Sequence, residues 1–507
     1  MKVHLMHRER DFDTGKEISK MQLALMQDIE LEKLLGAMSA GDSFLKEISK
    51  IALVSGLASQ DEILYRQQVL RDCLRHAAVV REMYEVTLNA VKGEKKVYFG
   101  FFSEYPSSIL GRAVQVLTLF FETLKKLKSM ADNYHQQFES DGFKTLFAML
   151  RQELSSEYLA TVQSHLSELK FSHGVLVGAR LGEGNTPSGF ILHRQRRKKR
   201  GLLGNIVSRN RRQFTYTLPD RDMNGAREMS ELRDRSINLV ANATAVSADH
   251  ILAFLNMLRT ELAFYIGCIN LKERLAGFDL PICFPSPVSG QAGIHRCIGL
   301  YDASLALELE GKVISNDFTA DGKELVIITG ANRGGKSTFL RSVGLAQLMM
   351  QCGMFVPATS FEACPFNGVY THFRREEDAT MNSGKLDEEL SRMSAIAGDI
   401  RPESLLLLNE SFASTNEREG SEIAKQIIRA VLEHHVRIFF VTHFFEMAGD
   451  LYRQKDDRYL FLLAERKADG SRSFKIREGA PLPTSYGEDL YVKIFGNGDR
   501  PVTAKKE

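Results

Sequence analysis

The stretch ELVIITGANRGGKSTFLRSVGLAQLMMQCG, residues 324–353, constrains this chain more than any other. An apolar run from Leu325 to Ile328 enters a turn containing Gly330, Gly334 and Gly335, and a segment with helical spacing leaves it. Gly330 to Ser337 fits G-x-x-x-x-G-K-[ST] in the strand-then-helix context that gives the pattern meaning. Glycines free backbone N–H groups to converge on phosphate oxygens, and the N-terminus of the following helix favours negative charge. The pattern predicts a polyphosphate site built from Gly330, Asn332, Gly334, Gly335, Lys336, Ser337 and Thr338. Lys336 would reach the β- and γ-phosphates, and Ser337 would offer its hydroxyl to magnesium. A glycine-rich turn that binds nothing is the plainer alternative; the flanking strand and helix argue against it.

Two later segments are expected at the same sheet edge. In SLLLLNESFASTNEREG, the four leucines 405–408 predict a buried strand that delivers Asn409 and Glu410 to its carboxyl end, where open α/β sheets bind ligands. Glu410 is placed to orient or deprotonate an attacking water. Asn409 stands where an aspartate would be expected to hold magnesium. An amide oxygen can accept from a metal-bound water but brings no charge, so the metal set proposed from sequence is Ser337 and Asn409. In RIFFVTHFFEMA, a strand at 438–441 carries Thr442 and His443 to that edge, and His443 is a candidate γ-phosphate sensor. A histidine at a strand end is more often structural when taken alone.

Around these segments the period of the apolar residues changes along the chain. Residues 1 to about 170 have helical spacing, as in DEILYRQQVLRDCLRHAAVVREMYEV. Val175–Leu181, a turn-rich GEGNTPSG and Phe190–His193 predict a hairpin. Helical spacing resumes near Ala226, and no proline lies between Pro219 and Pro281. A helix of about 45 residues could therefore run some 70 Å. GFDLPICFPSPVSGQAG reads as a linker. From Ile294 on, apolar runs at 325–328, 405–408, 438–441 and 459–463 alternate with amphipathic helices, the pattern of a parallel α/β sheet. The expected division is a helical part at 1–170, a β-rich basic insert at 171–222, a long helix and linker at 223–290, and a phosphate-binding α/β domain at 291–507. The predicted fold class is thus an α/β P-loop domain preceded by a helical lever with a small β-rich insert.

Composition removes several alternatives. The six cysteines are scattered, with no C-x-x-C pair, which argues against a zinc site or a disulfide framework and fits a reducing compartment. The N-terminus MKVHLMHRERDFD lacks the apolar core of a secretory signal, and no run of about 18 apolar residues suggests a membrane span. A soluble, cytoplasmic protein is expected. Net charge is only +2, so any nucleic-acid surface must be a local patch. One exists: Arg194, Arg196, Arg197, Lys198, Lys199, Arg200, Arg209, Arg211 and Arg212 share one stretch, 194–212, that contains no acidic side chain. Such a cluster can neutralise phosphates, although a lone basic run is usually a solvated loop.

With the three strand-end segments in this order, the chain resembles the MutS family of DNA mismatch-repair ATPases. TGANRGGKSTFLRSVGLAQLMMQCGMFVPA is similar to the family's phosphate loop and following helix, and THFRREEDATMNSGKLDEELSRM stands in the place of its signature loop. NESFASTNEREG and THFFEM occupy the places of its acidic pair and its histidine segment, and ISNDF is similar to its adenine-contacting segment. The resemblance implies ATP or ADP with Mg2+ as cofactors, and Asn316 and Phe318 near the base. It also implies an ATP-dependent homodimer, DNA as partner, and a bacterial, nucleoid-associated location. The helical arms with a β-rich tip look like the family's lever and clamp, which places the basic run at the DNA.

The departures are as informative. The segment before QDEILYRQQVLRD, where the helical levers begin, is too short for the mismatch-reading domain, which is therefore expected to be missing. Its F-x-E wedge has chance matches at 102, 120 and 444 only. The serine-threonine pair after SGK is absent, and the chain beyond TSYG at 484 is too short for the family's C-terminal helical module. The functional expectation is an ATP-driven DNA clamp that recognises DNA structure rather than mismatches. A slow ATP-binding switch that assembles partner proteins is the alternative.

Overall fold

The computed structural model describes residues 1–97, 105–172, 174–194, 215–289, 293–375, 384–467 and 470–482. These divide into two compact units that do not follow chain order. One holds the described residues of 1–3, 81–138 and 144–259; the other holds 4–80, 139–143 and those from 260 on. The boundaries expected from sequence run consecutively, whereas residues 4–80 pack in the unit that contains the phosphate loop. The apolar faces of helices Leu31–Ser39 and Ser43–Val54 are buried there, with Leu34, Leu35, Ile51 and Leu53 nearly inaccessible.

The first unit is mostly helical. Helix Pro106–Tyr134 starts with proline at its first turn, where the missing N–H costs nothing. It packs Leu110 and Val114 against Ile237 and Ala241 of helix Met223–Ala276. That helix has 54 residues, longer than expected, and contributes residues to both units. Its most apolar 18-residue window is 67% buried inside the protein, so packing accounts for its hydrophobicity. Strands β1 (Leu176–Leu181) and β2 (Pro187–His193) form an antiparallel hairpin with Leu176 opposite His193. β2 begins three residues before the expected Phe190, because a proline is tolerated at the first position of a strand. Phe120 and Phe121 of one F-x-E match are core residues of helix Pro106–Tyr134; the match at 102 lies outside the described residues.

The second unit carries two sheets. The smaller has the order β3-β7-β4-β5, from β3 (Ser286–Pro287), β4 (His295–Leu300), β5 (Asn316–Thr319) and β7 (Ser360–Ala363). Its presence corrects the linker expectation. Ser286 and Pro287 pair with Glu362 and Ala363, and Cys283 bridges Val356 through two backbone hydrogen bonds. Proline-rich chain can still pair where its neighbours supply the N–H groups.

The larger sheet runs β12-β11-β6-β10-β9-β8, with β6 (Leu325–Gly330), β8 (Val369–Phe373), β9 (Leu405–Asn409), β10 (Arg437–Val441), β11 (Tyr459–Arg466) and β12 (Arg472–Glu478). All its pairings are parallel except β11 with β12. Leu405–Leu408 and Ile438–Val441 are fully buried, as continuous apolar runs in a two-sided sheet must be. Each such side chain contributes roughly 1.5–3 kcal/mol relative to exposure. Helix Lys20–Asp28 packs on β8 at the sheet edge and is started by a capping box between Ser19 and Gln22.

Candidate nucleotide site

Register places the chemistry. Val441 lies opposite both Asn409 and Ile328, and Phe373 lies opposite Asn409, so β8, β9 and β10 end level with one another while β6 runs on two residues to Gly330. Beyond those ends the backbone bonding continues: Arg374 N donates to Asn409 O (2.9 Å), Glu410 N to Val441 O (2.8 Å) and Thr442 N to Ile328 O (3.1 Å). Residues widely separated in sequence therefore emerge side by side at one carboxyl edge.

Between β6 and helix Lys336–Gln351 the loop turns with Gly330 at φ 109 and Gly335, the helix N-cap, at φ 90. A Cβ on Gly330 would lie 2.9 Å from the backbone N and O of Ala464. Both the conformation and the space demand glycine there. Lys336 is 5% exposed, and its Nζ donates to the loop carbonyls of Gly330 (2.9 Å) and Ala331 (3.1 Å). Burial pulls the pKa of its ammonium down to about 8, opposed in part by the Glu410 carboxylate. A phosphate at this point would offer the cation a charged partner in place of two carbonyls.

Ser337 Oγ donates to Asn409 Oδ1 at 2.9 Å. These two neutral oxygens, side by side at the loop and the strand end, fit a magnesium ion that draws most of its ligands from phosphate and water. The charge compensation would have to come from the nucleotide. Among the described residues no cluster of three His, Cys, Asp or Glu side chains offers a competing metal site.

Glu410 has φ 52, outside the strand region, and its Oε1 lies 2.9 Å from His443 Nε2. That hydrogen bond, with His443, Lys336 and Arg374 as nearby charges, holds the carboxyl below the usual range despite partial burial. It is therefore an ionised acceptor. Low basicity suits it to orienting water more than to keeping a proton.

Lys336, Ser337 and Glu410 open onto a cavity of about 450 Å³ whose lining also includes Asn316, Asn332, Gly334, Gly335 and Thr338. Gly330, Asn409 and His443 are not among its lining residues; Asn409 and His443 meet it through their bonds to Ser337 and Glu410. Two expectations need revision. Phe318 is 6% exposed and sits in an aromatic cluster, edge-on to Phe339 at 5.6 Å and Phe439 at 5.8 Å; it is a core residue and not part of the cavity wall. Asn316 does line the cavity, but its amide is committed to the neighbouring strand: Oδ1 accepts from Ile476 N (2.7 Å) and Nδ2 donates to Phe474 O (3.3 Å). Sequence reasoning missed Phe474. It is 47% exposed at φ 59 and lines the cavity with Tyr301 and Ile314, giving a planar ring and apolar wall suited to a base. The available signal was an exposed aromatic in the short alternating strand RSFKIRE.

Of the basic run, only Arg194 is within the described residues, exposed and paired with Glu168 at 2.6 Å. Arg196, Arg197, Lys198, Lys199, Arg200, Arg209, Arg211 and Arg212 lie outside them, as do TSYG at 484 and residues 376–383 of the signature segment. Of the second loop, Asn416 caps helix Glu417–Glu433 by accepting from Glu419 N, and Ser414 donates to Glu389.

The family model of the MutS2 N-terminal domain matches residues 58–278, and that of MutS domain V matches 326–491. The chain belongs to the MutS family. MutS domain V is a P-loop ATPase domain, and its match begins inside β6 and includes Lys336, Asn409, Glu410, His443 and Phe474. The DNA mismatch repair protein MutS of Thermus aquaticus is 32% identical over 281 residues, covering 54% of this chain and 33% of that protein. The MutS protein of Porphyromonas gingivalis is 31% identical over 188 residues, covering 36% and 21% respectively, and that of Chloroflexus aurantiacus 32% identical over 180 residues, covering 32% and 19%. The chain thus spans a third or less of the length of these MutS relatives.

Proposed function

We propose that this protein binds and hydrolyses ATP at the carboxyl edge of its larger sheet and couples that cycle to DNA, in the manner of a MutS-type repair or recombination factor. The observation that carries the reading is a phosphate loop, Ser337 and Glu410 on one cavity, with Asn409 bonded to Ser337 and His443 to Glu410. The loop N–H groups and Lys336 hold the polyphosphate, and Phe474 with Ile314 borders the base. Ser337 and Asn409 would hold a magnesium ion, whose charge would offset that of the phosphates. Glu410 orients the attacking water, and His443 fixes the carboxylate.

DNA is assigned to the basic run 194–212 on charge grounds, through backbone and shape rather than base edges. An ATP-promoted homodimer and a cytoplasmic, bacterial setting follow from the resemblance. The substrate is proposed to be a DNA structure, such as a branch or junction, rather than a mismatch. The second reading, a slow ATP switch that assembles protein partners, is favoured by one residue: neutral Asn409, which weakens the metal site. A gel-shift panel of duplex, mismatch, fork and junction DNA, with ATP, ADP or no nucleotide, separates the two. Salt-dependent binding that changes with nucleotide supports the DNA-coupled ATPase; nucleotide turnover with no DNA binding at low salt supports the switch.

A further inference from the structure

The strand order brings one more charged group to Glu410. β9 lies between β10 and β8, so the residue leaving β9 is flanked on one side by the end of β10 and on the other by the end of β8. His443 comes from the first and Arg374 from the second. Arg374 is tied to β9 by its own N–H, which donates to Asn409 O at 2.9 Å, so its Cα is held beside the strand end that carries Glu410. Its Nη1 lies 3.8 Å from Glu410 Oε2, while His443 Nε2 lies 2.9 Å from Oε1. Each carboxylate oxygen thus faces a different donor.

Glu410 needs such support. Its backbone N–H is still bonded to Val441 O, but with φ at 52 its side chain no longer follows the alternation of the strand. A carboxylate gripped at one oxygen can still rotate about its terminal bond, whereas one approached from both sides keeps its plane. Arg374 is 42% exposed and Glu410 is 28% exposed, so the pair is solvated and adds little to stability. A contact that does little for folding yet bears on the water-orienting group has its effect on geometry.

We propose that Arg374 is a positioning residue for hydrolysis, holding the Glu410 carboxylate from the β8 side as His443 holds it from the β10 side. This rests on the ATPase reading above. Arg374, like His443, is not among the residues lining the cavity, which fits a role exerted through Glu410.

The test compares the full chain with Arg374→Ala, Arg374→Lys, Arg374→Gln and Glu410→Gln, and with the Arg374→Ala/Glu410→Gln double variant, measuring kcat, KM and nucleotide Kd. Arg374→Ala is expected to lower kcat about 10-fold with KM and Kd changed less than about 2-fold, because misplacing a catalytic group costs rate and not ground-state binding. Arg374→Lys should recover most of the loss, and Arg374→Gln little of it, because the cation is what faces the carboxylate. In the Glu410→Gln background, Arg374→Ala should cost nothing further. Unchanged kcat, a loss confined to KM, or an equal loss in the Glu410→Gln background would overturn the assignment. If the parent shows no turnover that Glu410→Gln removes, the ATPase reading itself fails, and the assignment with it. Should Arg374→Ala not fold, the Lys and Gln variants carry the same comparison.

Discussion

The phosphate-loop site and the β1–β2 hairpin are built on opposite terms. The site hangs from strands that are buried on both faces, with Leu325–Ile328, Leu405–Leu408 and Ile438–Val441 almost inaccessible. The hairpin has strands that are exposed or half-buried throughout, with Leu181 at 76% and Ile191 at 52% exposure. Packing fixes the first to within the tolerance that catalysis needs. The second gains only backbone pairing and a few contacts of Val175 and Leu192 with a small cluster. Such an element can change sequence at little cost to the fold.

Substitutions can break that contrast or sharpen it. The largest effect is expected for Glu410→Gln: turnover should fall by roughly 10²- to 10⁴-fold while nucleotide affinity stays within about 3-fold, since the cradle is untouched. Single-turnover hydrolysis alongside equilibrium nucleotide binding checks it, and unchanged turnover would remove Glu410 from the mechanism. Next comes Lys336→Ala, which removes the buried cation from the loop. Nucleotide affinity should drop by about 10²-fold, read by titration with a fluorescent analogue.

On the hairpin side, replacing Arg196, Arg197, Lys198, Lys199 and Arg200 with serine should weaken DNA binding by about 10-fold or more near 0.1 M salt. The slope of log affinity against log salt should flatten by roughly 0.9 per lost phosphate contact. Thermal stability and DNA-free turnover should not move. A loss of stability would mean that the run is structural and the contrast false.

The smallest effect concerns His295. Its ring is fully buried among Phe318, Phe361, Phe366 and Phe439, and neither ring nitrogen has a hydrogen-bond partner among the described residues. Burial, with Arg437 nearby, pushes its pKa well below the ordinary value. A lowered folded pKa means that the neutral ring's contribution is complete above the unfolded value of about 6.5 and is lost as pH falls below it. His295→Leu should therefore stabilise the protein by about 1 kcal/mol at neutral pH, as an unpaired polar group outweighs the lost ring contacts. The advantage should widen on acidification. Denaturant melts at pH 7.5 and 5.5 measure both.

The sequence alone determined the phosphate loop, the four central strands to within a few residues, the hairpin and the long helix. Each is encoded locally: glycine spacing for the loop, continuous apolar runs for two-sided strands, the absence of proline for the helix. Only the tertiary structure decided which neighbours these elements acquire. Phe318 was expected beside a base but is drawn into an aromatic core, while Phe474, from a strand much later in the chain, faces the cavity. Arg374, Asn409, Glu410 and His443 share one edge because parallel register sets their strand ends level, and register is a property of paired strands that no single segment contains. The proline-rich stretch after the long helix pairs with β7 because a partner strand happens to be there. Local sequence specifies what an element is; long-range packing specifies what it touches, and the proposed chemistry depends on the second.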